Sequence, residues 1–235
     1  DTTSGVGLSH RRLSILDLSS AGHQPMLSGS QRYVIAFNGE IYNHIELRQD
    51  LVESGCLNPW RGHSDTETLL AGFDFWGVEA TLRRAVGMFA FALWDIESST
   101  LTLGRDRIGE KPLYYGIQNG VFLFASELKA LKAHPSFSAS VDRNSLVLFL
   151  RHNYIPAPYS IYENIRKLEP GCLLRFSSID AEPSISRYWS PSEVAQAGLR
   201  DPFSGSAVNA VDELDALLKK TIKQQMLSDV PLGAF

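Results

Sequence analysis

Three short stretches bring together side chains with usable chemistry. Asn38-Gly39-Glu40 follows a hydrophobic strand pattern and precedes a helix pattern, so a side-chain amide and a glycine N–H meet at a sharp turn. Such a pair can stabilise a developing oxyanion. Asn-Gly is also a common turn dipeptide, and the residues alone leave both readings open. His10-Arg11-Arg12-Leu13-Ser14-Ile15 sets two guanidinium groups in an extended run, where alternation sends them to opposite faces. One can grip a carboxylate in a bidentate way while the other stays in solvent, although paired arginines on an edge strand also serve as plain surface. Asp65 falls in the first turn of a helix pattern, where it is either a capping acid or a partner for a substrate ammonium group.

Other candidates carry less. Arg105-Asp106-Arg107-Ile108-Gly109-Glu110-Lys111 is expected to be a solvated mixed-charge turn held by local ion pairs, with no nucleophile–base pair to be assembled from it. The histidines at 10, 23, 44, 63, 134 and 152 show no metal-ligand spacing, so no metal is expected. Gly5-Val6-Gly7 precedes a strand pattern, whereas dinucleotide-binding loops follow one.

Composition narrows the class. The 235 residues are 44% hydrophobic and 20% charged, with a formal net charge of -4 and a pI near 5.9. This is an ordinary soluble globular balance with no basic run longer than a pair, which argues against nucleic-acid or anionic-membrane partners. No apolar stretch reaches the roughly 18 residues of a membrane span. Cys56 and Cys172 have neither disulfide-framework nor metal spacing, and a reducing cytoplasmic setting fits them.

These residues need elements to position them. Strand patterns cover Val6 to Ile15 and Arg32 to Phe37. Helices are expected from about Tyr42 to Glu53, with Ile45, Leu47, Leu51 and Val52 at helical spacing, and from the capping box Ser64-Asp65-Thr66-Glu67 to Trp76. Short strands at Met88–Trp94, Thr100–Leu103, Leu113–Ile117 and Val121–Ala125 read as an antiparallel meander. Short helices follow at Ser126–Ala133 and Arg143–His152, then a proline-stiffened linker at Tyr154–Pro158 and a hairpin of Cys172–Phe176 with Ile185–Trp189. A last helix carries Val208, Val211, Leu214, Leu218 and Ile222 on one stripe. Val230 to Phe235 is strand-like, and its abrupt end suggests a chain that continues. The opening at Asp1 rather than Met suggests likewise that the natural start lies upstream.

In this order the segments resemble the class II glutamine amidotransferases, and specifically the asparagine synthetase family. The resemblance rests on Gly7-Leu8-Ser9-His10-Arg11-Arg12-Leu13-Ser14-Ile15, Phe37-Asn38-Gly39-Glu40-Ile41-Tyr42-Asn43, Ser64-Asp65-Thr66-Glu67 and Gly87-Met88-Phe89-Ala90-Phe91-Ala92-Leu93-Trp94-Asp95. Arg105 through Tyr115 and Phe124-Ala125-Ser126-Glu127-Leu128-Lys129-Ala130-Leu131 continue it, so that it covers nearly the whole chain. The tail Asp229-Val230-Pro231-Leu232-Gly233-Ala234-Phe235 is similar to the strand that enters an ATP-pyrophosphate-binding loop in asparagine synthetases.

The resemblance implies an α+β fold, the four-layer αββα N-terminal-nucleophile hydrolase sandwich of antiparallel sheets. It also implies glutamine hydrolysis by an N-terminal cysteine whose own α-amine, titrating at about 7.7–8.0, is the base. Carried over residue by residue, Arg12 would hold the glutamine α-carboxylate, with the backbone of Leu13, Ser14, Ile15 and Leu16 beside it. Asn38 and Gly39 would form the oxyanion hole, and Glu40 and Asp65 would receive the α-ammonium. Residues 1–153 would be the glutaminase domain, 154–206 a linker and hairpin extension, and 207–235 a helix and strand leading to an ATP-pyrophosphatase synthetase domain of the same polypeptide. No cofactor is expected in the glutaminase domain, ATP and Mg2+ are implied for the synthetase domain, and a homodimer is left open. The acceptor carboxylate is aspartate or a sugar acid of polysaccharide assembly, and a non-catalytic scaffold that kept the fold is the alternative of another class. The family's Met-Cys-Gly start is missing from this sequence, and neither Cys56 nor Cys172 lies where the nucleophile belongs. The chain as written is therefore expected to bind glutamine weakly and not to hydrolyse it.

Overall fold

Alternation along one strand sets out the architecture. The computed structural model describes residues 5–13, 15–57, 59–231 and 233. In β3 (Gly87–Asp95), Phe89, Phe91 and Leu93 enter one buried cluster, and Ala90, Ala92 and Trp94 enter another. A strand buried on both faces reads as a continuous apolar run, as Met88 to Trp94 does. The first cluster lies between the sheet and the helices α1 (His44–Glu53), α2 (Asp65–Trp76) and α3 (Val78–Arg84), and includes Leu47, Leu69, Leu70, Phe73 and Leu82. The second lies between two sheets, where Leu113, Tyr115, Leu168 and Phe122 meet Leu103 and Leu174.

The larger sheet has six strands in the order β1 (Met26–Leu27), β2 (Tyr33–Ile41), β3, β4 (Thr100–Arg105), β8 (Cys172–Phe176) and β9 (Ser184–Arg187). The smaller has the order β6 (Val121–Ala125), β5 (Tyr114–Gln118), β7 (Ile165–Lys167). Every pairing is antiparallel. Helix α4 (Leu128–Lys132) closes the outer face of the smaller sheet through Leu131, against Leu123 and Ile165. The layers thus run helix, sheet, sheet, helix, the expected αββα sandwich.

Several expectations are corrected. Residues 6–13 keep the burial alternation of a strand, with Val6, Leu8, His10 and Arg12 half-buried and their neighbours exposed, but form no ladder. Val6 and Leu8 pack on the intersheet core. The expected meander is divided between the sheets: β3 and β4 stay in the larger, while β5 and β6 form a hairpin in the smaller. That hairpin turns on Asn119 and Gly120, both at positive φ, as a primed two-residue turn requires. The hairpin of residues 172–187 is present and continues the larger sheet beyond β4, with Leu173 buried against the helices. In α1 the apolar stripe is only partly used, because Leu47 and Leu51 are buried while Ile45 and Val52 are 55% and 56% exposed. Ser64 caps α2 by accepting from the Glu67 N–H, but the Glu67 carboxylate accepts from the Arg61 and Gly62 N–H groups and not from Ser64. Helices α5 (Arg143–His152) and α7 (Ala207–Gln225) were expected, whereas α3 and α6 (Pro191–Arg200) were not. Residues 227–231 and 233 form no strand, and Leu232, Ala234 and Phe235 lie outside the described residues. None of the described helices is long and apolar enough to cross a membrane.

The loop that leaves β4 for the smaller sheet is not a solvated turn. Asp106 is 1% exposed and accepts five backbone N–H groups, those of Phe89, Ile108, Gly109, Glu110 and Lys111. Arg105, also buried, donates to the carbonyls of Gly109, Lys111 and Leu168. Buried charges survive only with such partners, and here they replace a ladder at the crossover between sheets. Asp106→Ala leaves the buried Phe89 N–H and four partly buried N–H groups without their acceptor, a fully buried unmade bond costing about 1–3 kcal/mol. A loss of roughly 3 kcal/mol or more in denaturant unfolding is therefore expected.

Candidate active site

Strand β1 covers only the first part of β2, pairing Met26 with Ile35 and Leu27 with Val34. Beyond it the odd-numbered residues of β2 point their N–H groups at an open edge. Side chains take over there: the Phe37 N–H donates to Gln24 Oε1 at 2.7 Å, and the Ile41 N–H donates to Asp65 Oδ2 at 2.9 Å. On the strand's period of two, the Gly39 N–H faces the same edge, midway between them. Phe89, opposite Gly39 in β3, has both backbone groups engaged with Asp106. Position 39 must be glycine, because a Cβ there would lie 2.1 Å from the Met88 carbonyl oxygen.

A cavity of about 190 Å³ opens over this edge. Arg12, Leu13, Ile15, Leu16, Asn38, Gly39, Glu40 and Asp65 all line it, so the expected site residues share one space. Ser14 lies outside the described residues. His10, Gln24, Met88 and Lys111 line it as well, without having been singled out for it. His10 and Lys111 stand within the family-like segments, so a signal existed for them. Gln24 gave none, since its part is to substitute for a missing strand.

Each polar group is placed by a different element. Arg12 donates through Nη2 to the Leu16 and Asp17 carbonyls at 2.5 and 2.8 Å, and its guanidinium lies over Gly22, where any Cβ would collide with it. Asn38 donates from Nδ2 to Ser126 Oγ at 3.0 Å. Ser126 follows β6, so the smaller sheet fixes the rotamer of a side chain carried by the larger one. Asp65 sits at the N-terminus of α2, where Oδ1 accepts from the Thr66 N–H while Oδ2 reaches back to β2.

Burial sets the electrostatics. It pushes the Glu40 carboxyl above its ordinary 4.5, and the nearby Asp65 charge adds to this while Lys111 opposes it. Asp65 is also raised by burial, against its hydrogen bonds from Ile41 and Thr66. Glu40 Oε1 is buried with no hydrogen-bond partner among the described residues, and so is His10 Nδ1. Burial and the Arg12 charge lower His10 and favour the neutral imidazole. A buried carboxylate oxygen without a donor is costly, and a cationic donor is a group that would offset the cost.

Comparisons with known proteins place the chain in a family. Residues 2–189 match a family model described as a glutamine amidotransferase domain. A putative glutamine-hydrolyzing asparagine synthetase of Mycobacterium tuberculosis (strain ATCC 25618 / H37Rv) is 37% identical over 98% of this chain and 35% of its own length. Glutamine-hydrolyzing asparagine synthetase 3 of Bacillus subtilis (strain 168) is 35% identical over 96% of this chain, and this chain again spans 35% of that relative. A solved structure of an allosteric regulatory enzyme of purine biosynthesis aligns with a TM-score of 0.52 at 22% identity over 74% of this chain and 33% of its own, a likeness of fold alone. On the family match, this chain belongs to the glutamine amidotransferase domains, here built as a four-layer αββα sandwich.

Proposed function

We propose that this domain hydrolyses glutamine to glutamate and supplies the ammonia for ATP-dependent amidation of a carboxylate, with aspartate as the favoured acceptor. One observation carries the reading: a guanidinium, two carboxyls and the Asn38–Gly39 N–H pair line a single cavity of about 190 Å³. A zwitterionic amino acid with an amide side chain matches that set. Its α-carboxylate meets Arg12, its α-ammonium meets Glu40 and Asp65, and its amide oxygen meets the Gly39 N–H and the Asn38 carboxamide. A thiolate then adds to the amide carbon, ammonia leaves, and water releases glutamate from the thioester. The two N–H donors act on the oxygen as charge develops there.

Neither internal cysteine suits the attack. Cys172 is 1% exposed, burial raises its thiol above the ordinary value, and neither it nor Cys56 lines the cavity. The reading therefore assigns the attack to an N-terminal cysteine of the full-length protein and leaves the chain as written to bind glutamine without turnover. The amidation step belongs to a synthetase domain beyond this one. The apolar stripe of α7 supports such a neighbour: Val208, Val211, Leu214, Leu218 and Ile222 are 69%, 65%, 56%, 53% and 58% exposed, a face fit to be covered. ATP and Mg2+ would serve that domain, and no step in this cavity uses them.

Glutamate release by the full-length protein tests the reading, and a protein whose N-terminal residue is cysteine but which releases none would refute it. Asn38→Ala should lower kcat roughly 100-fold or more with KM for glutamine little changed; an unaltered kcat would remove Asn38 from the oxyanion role.

Acid should weaken glutamine binding early. The ammonium pairs with ionised Glu40, whose folded pKa is raised, so affinity is full above that pKa and is lost as pH falls through it, beginning above the ordinary 4.5. In calorimetric titrations Glu40→Gln should bind more weakly at neutral pH and lack that inflection.

A further inference from the structure

The segment that follows α7 returns to the wall of the cavity. The Asp229 N–H donates to the Ile15 carbonyl at 3.0 Å. Its carboxylate oxygen Oδ2 accepts from the Asp17 N–H at 2.8 Å and lies 2.7 Å from His63 Nε2. One residue thus clasps the Ile15–Asp17 turn through backbone and side chain together, across 212 positions of sequence.

That turn has little support of its own. The stretch before it lacks a ladder, and Asp17 holds a left-handed φ of 54°, which a non-glycine residue adopts only at some cost. The Asp17 carboxylate is fully buried and is occupied in receiving the Ser19 N–H, the Ser19 hydroxyl and the His63 N–H. The carbonyls of Leu16 and Asp17, in turn, hold the Arg12 guanidinium. The line of contacts therefore runs from Asp229 to the Ile15–Asp17 backbone, then to Arg12, then to the cavity. His63 adds a second route, since it stands two residues before Asp65 in the chain.

We propose that Asp229 is a positioning residue for glutamine recognition: it fixes the turn whose carbonyls aim Arg12, and so ties glutamine affinity to the placement of residues 226–231. This rests on the reading of the cavity as a glutamine site. A movement that draws residues 226–231 off the turn would loosen its hold on Arg12 and weaken glutamine binding without touching the reacting groups.

The test is made on the full-length protein. Asp229→Ala should raise KM for glutamine about tenfold, the equivalent of one charge-assisted hydrogen bond, with kcat within about twofold of wild type. Asp229→Asn, which keeps an oxygen acceptor for the Asp17 N–H, should recover most of that loss. Hydrogen exchange should show Leu16 to Leu18 losing protection in Asp229→Ala while β2 and β3 keep theirs. The His63→Ala and Asp229→Ala effects on KM should be less than additive, because the two side chains touch. Unchanged KM in Asp229→Ala, or a fall in kcat at unchanged KM, would overturn the positioning role. So would an Asn variant as weak as the Ala variant. Absence of saturable glutamine hydrolysis in the wild type would instead overturn the glutamine reading itself, so the two failures are told apart.

Discussion

The site depends on a strand edge that has outrun its partner. β2 is nine residues long and β1 only two, so the far half of β2 faces outward with backbone donors that need acceptors. A protein can blunt such an edge by covering it. Here Gln24 and Asp65 each supply an acceptor to one N–H, and the N–H between them, at Gly39, where β2 runs straight on instead of making the expected turn, is left facing the cavity. Satisfying two donors out of three turns an aggregation liability into a site.

Holding that edge still requires both sheets. Gly39 and Gly87 let β2 and β3 approach so closely that a Cβ on either would overlap the other strand's carbonyl, which fixes the height of the cavity floor. Ser126 reaches across from the end of β6 to hold Asn38, so the relative placement of the sheets sets the angle of the carboxamide. That placement is in turn governed by the crossover at Arg105 and Asp106, where charges meet backbone groups in the interior. The same loop delivers Lys111 to the cavity wall.

How much of this could be read from the sequence follows the range of the interactions. β3 announced itself because burial on two faces leaves an unbroken apolar run, and α2 because Ser64 is a local cap. The grouping of Arg12, Asn38, Glu40 and Asp65 came from the family-like wording of their segments, since each alone had an ordinary structural explanation. Contacts distant in sequence were not legible. Alternation at Val6 to Arg12 promised a strand, but alternation reports which side is buried and says nothing of a ladder. Charge density at Arg105–Lys111 suggested solvent, whereas the carboxylate and guanidinium were paired with backbone groups that no local pattern reveals. Gln24 was overlooked for the same reason.

On the proposed reading, the charges of the cavity are set out for an incoming ammonium group. Burial raises both the Glu40 and the Asp65 carboxyl, and the Asp65 charge adds to the rise at Glu40; the Lys111 charge offsets Glu40 without giving its Oε1 a hydrogen bond. Had Lys111 closed on Glu40, the free protein would be more stable and the acceptor would be spent. Leaving Glu40 Oε1 without a donor keeps an interaction in reserve that an incoming ammonium completes, so part of the binding free energy on the proposed reading is relief of a penalty already present in the fold. A neutral amine or an amide in that position could not supply the compensating charge, and discrimination between glutamine and a glutamine residue within a peptide chain would follow from that one unmet oxygen.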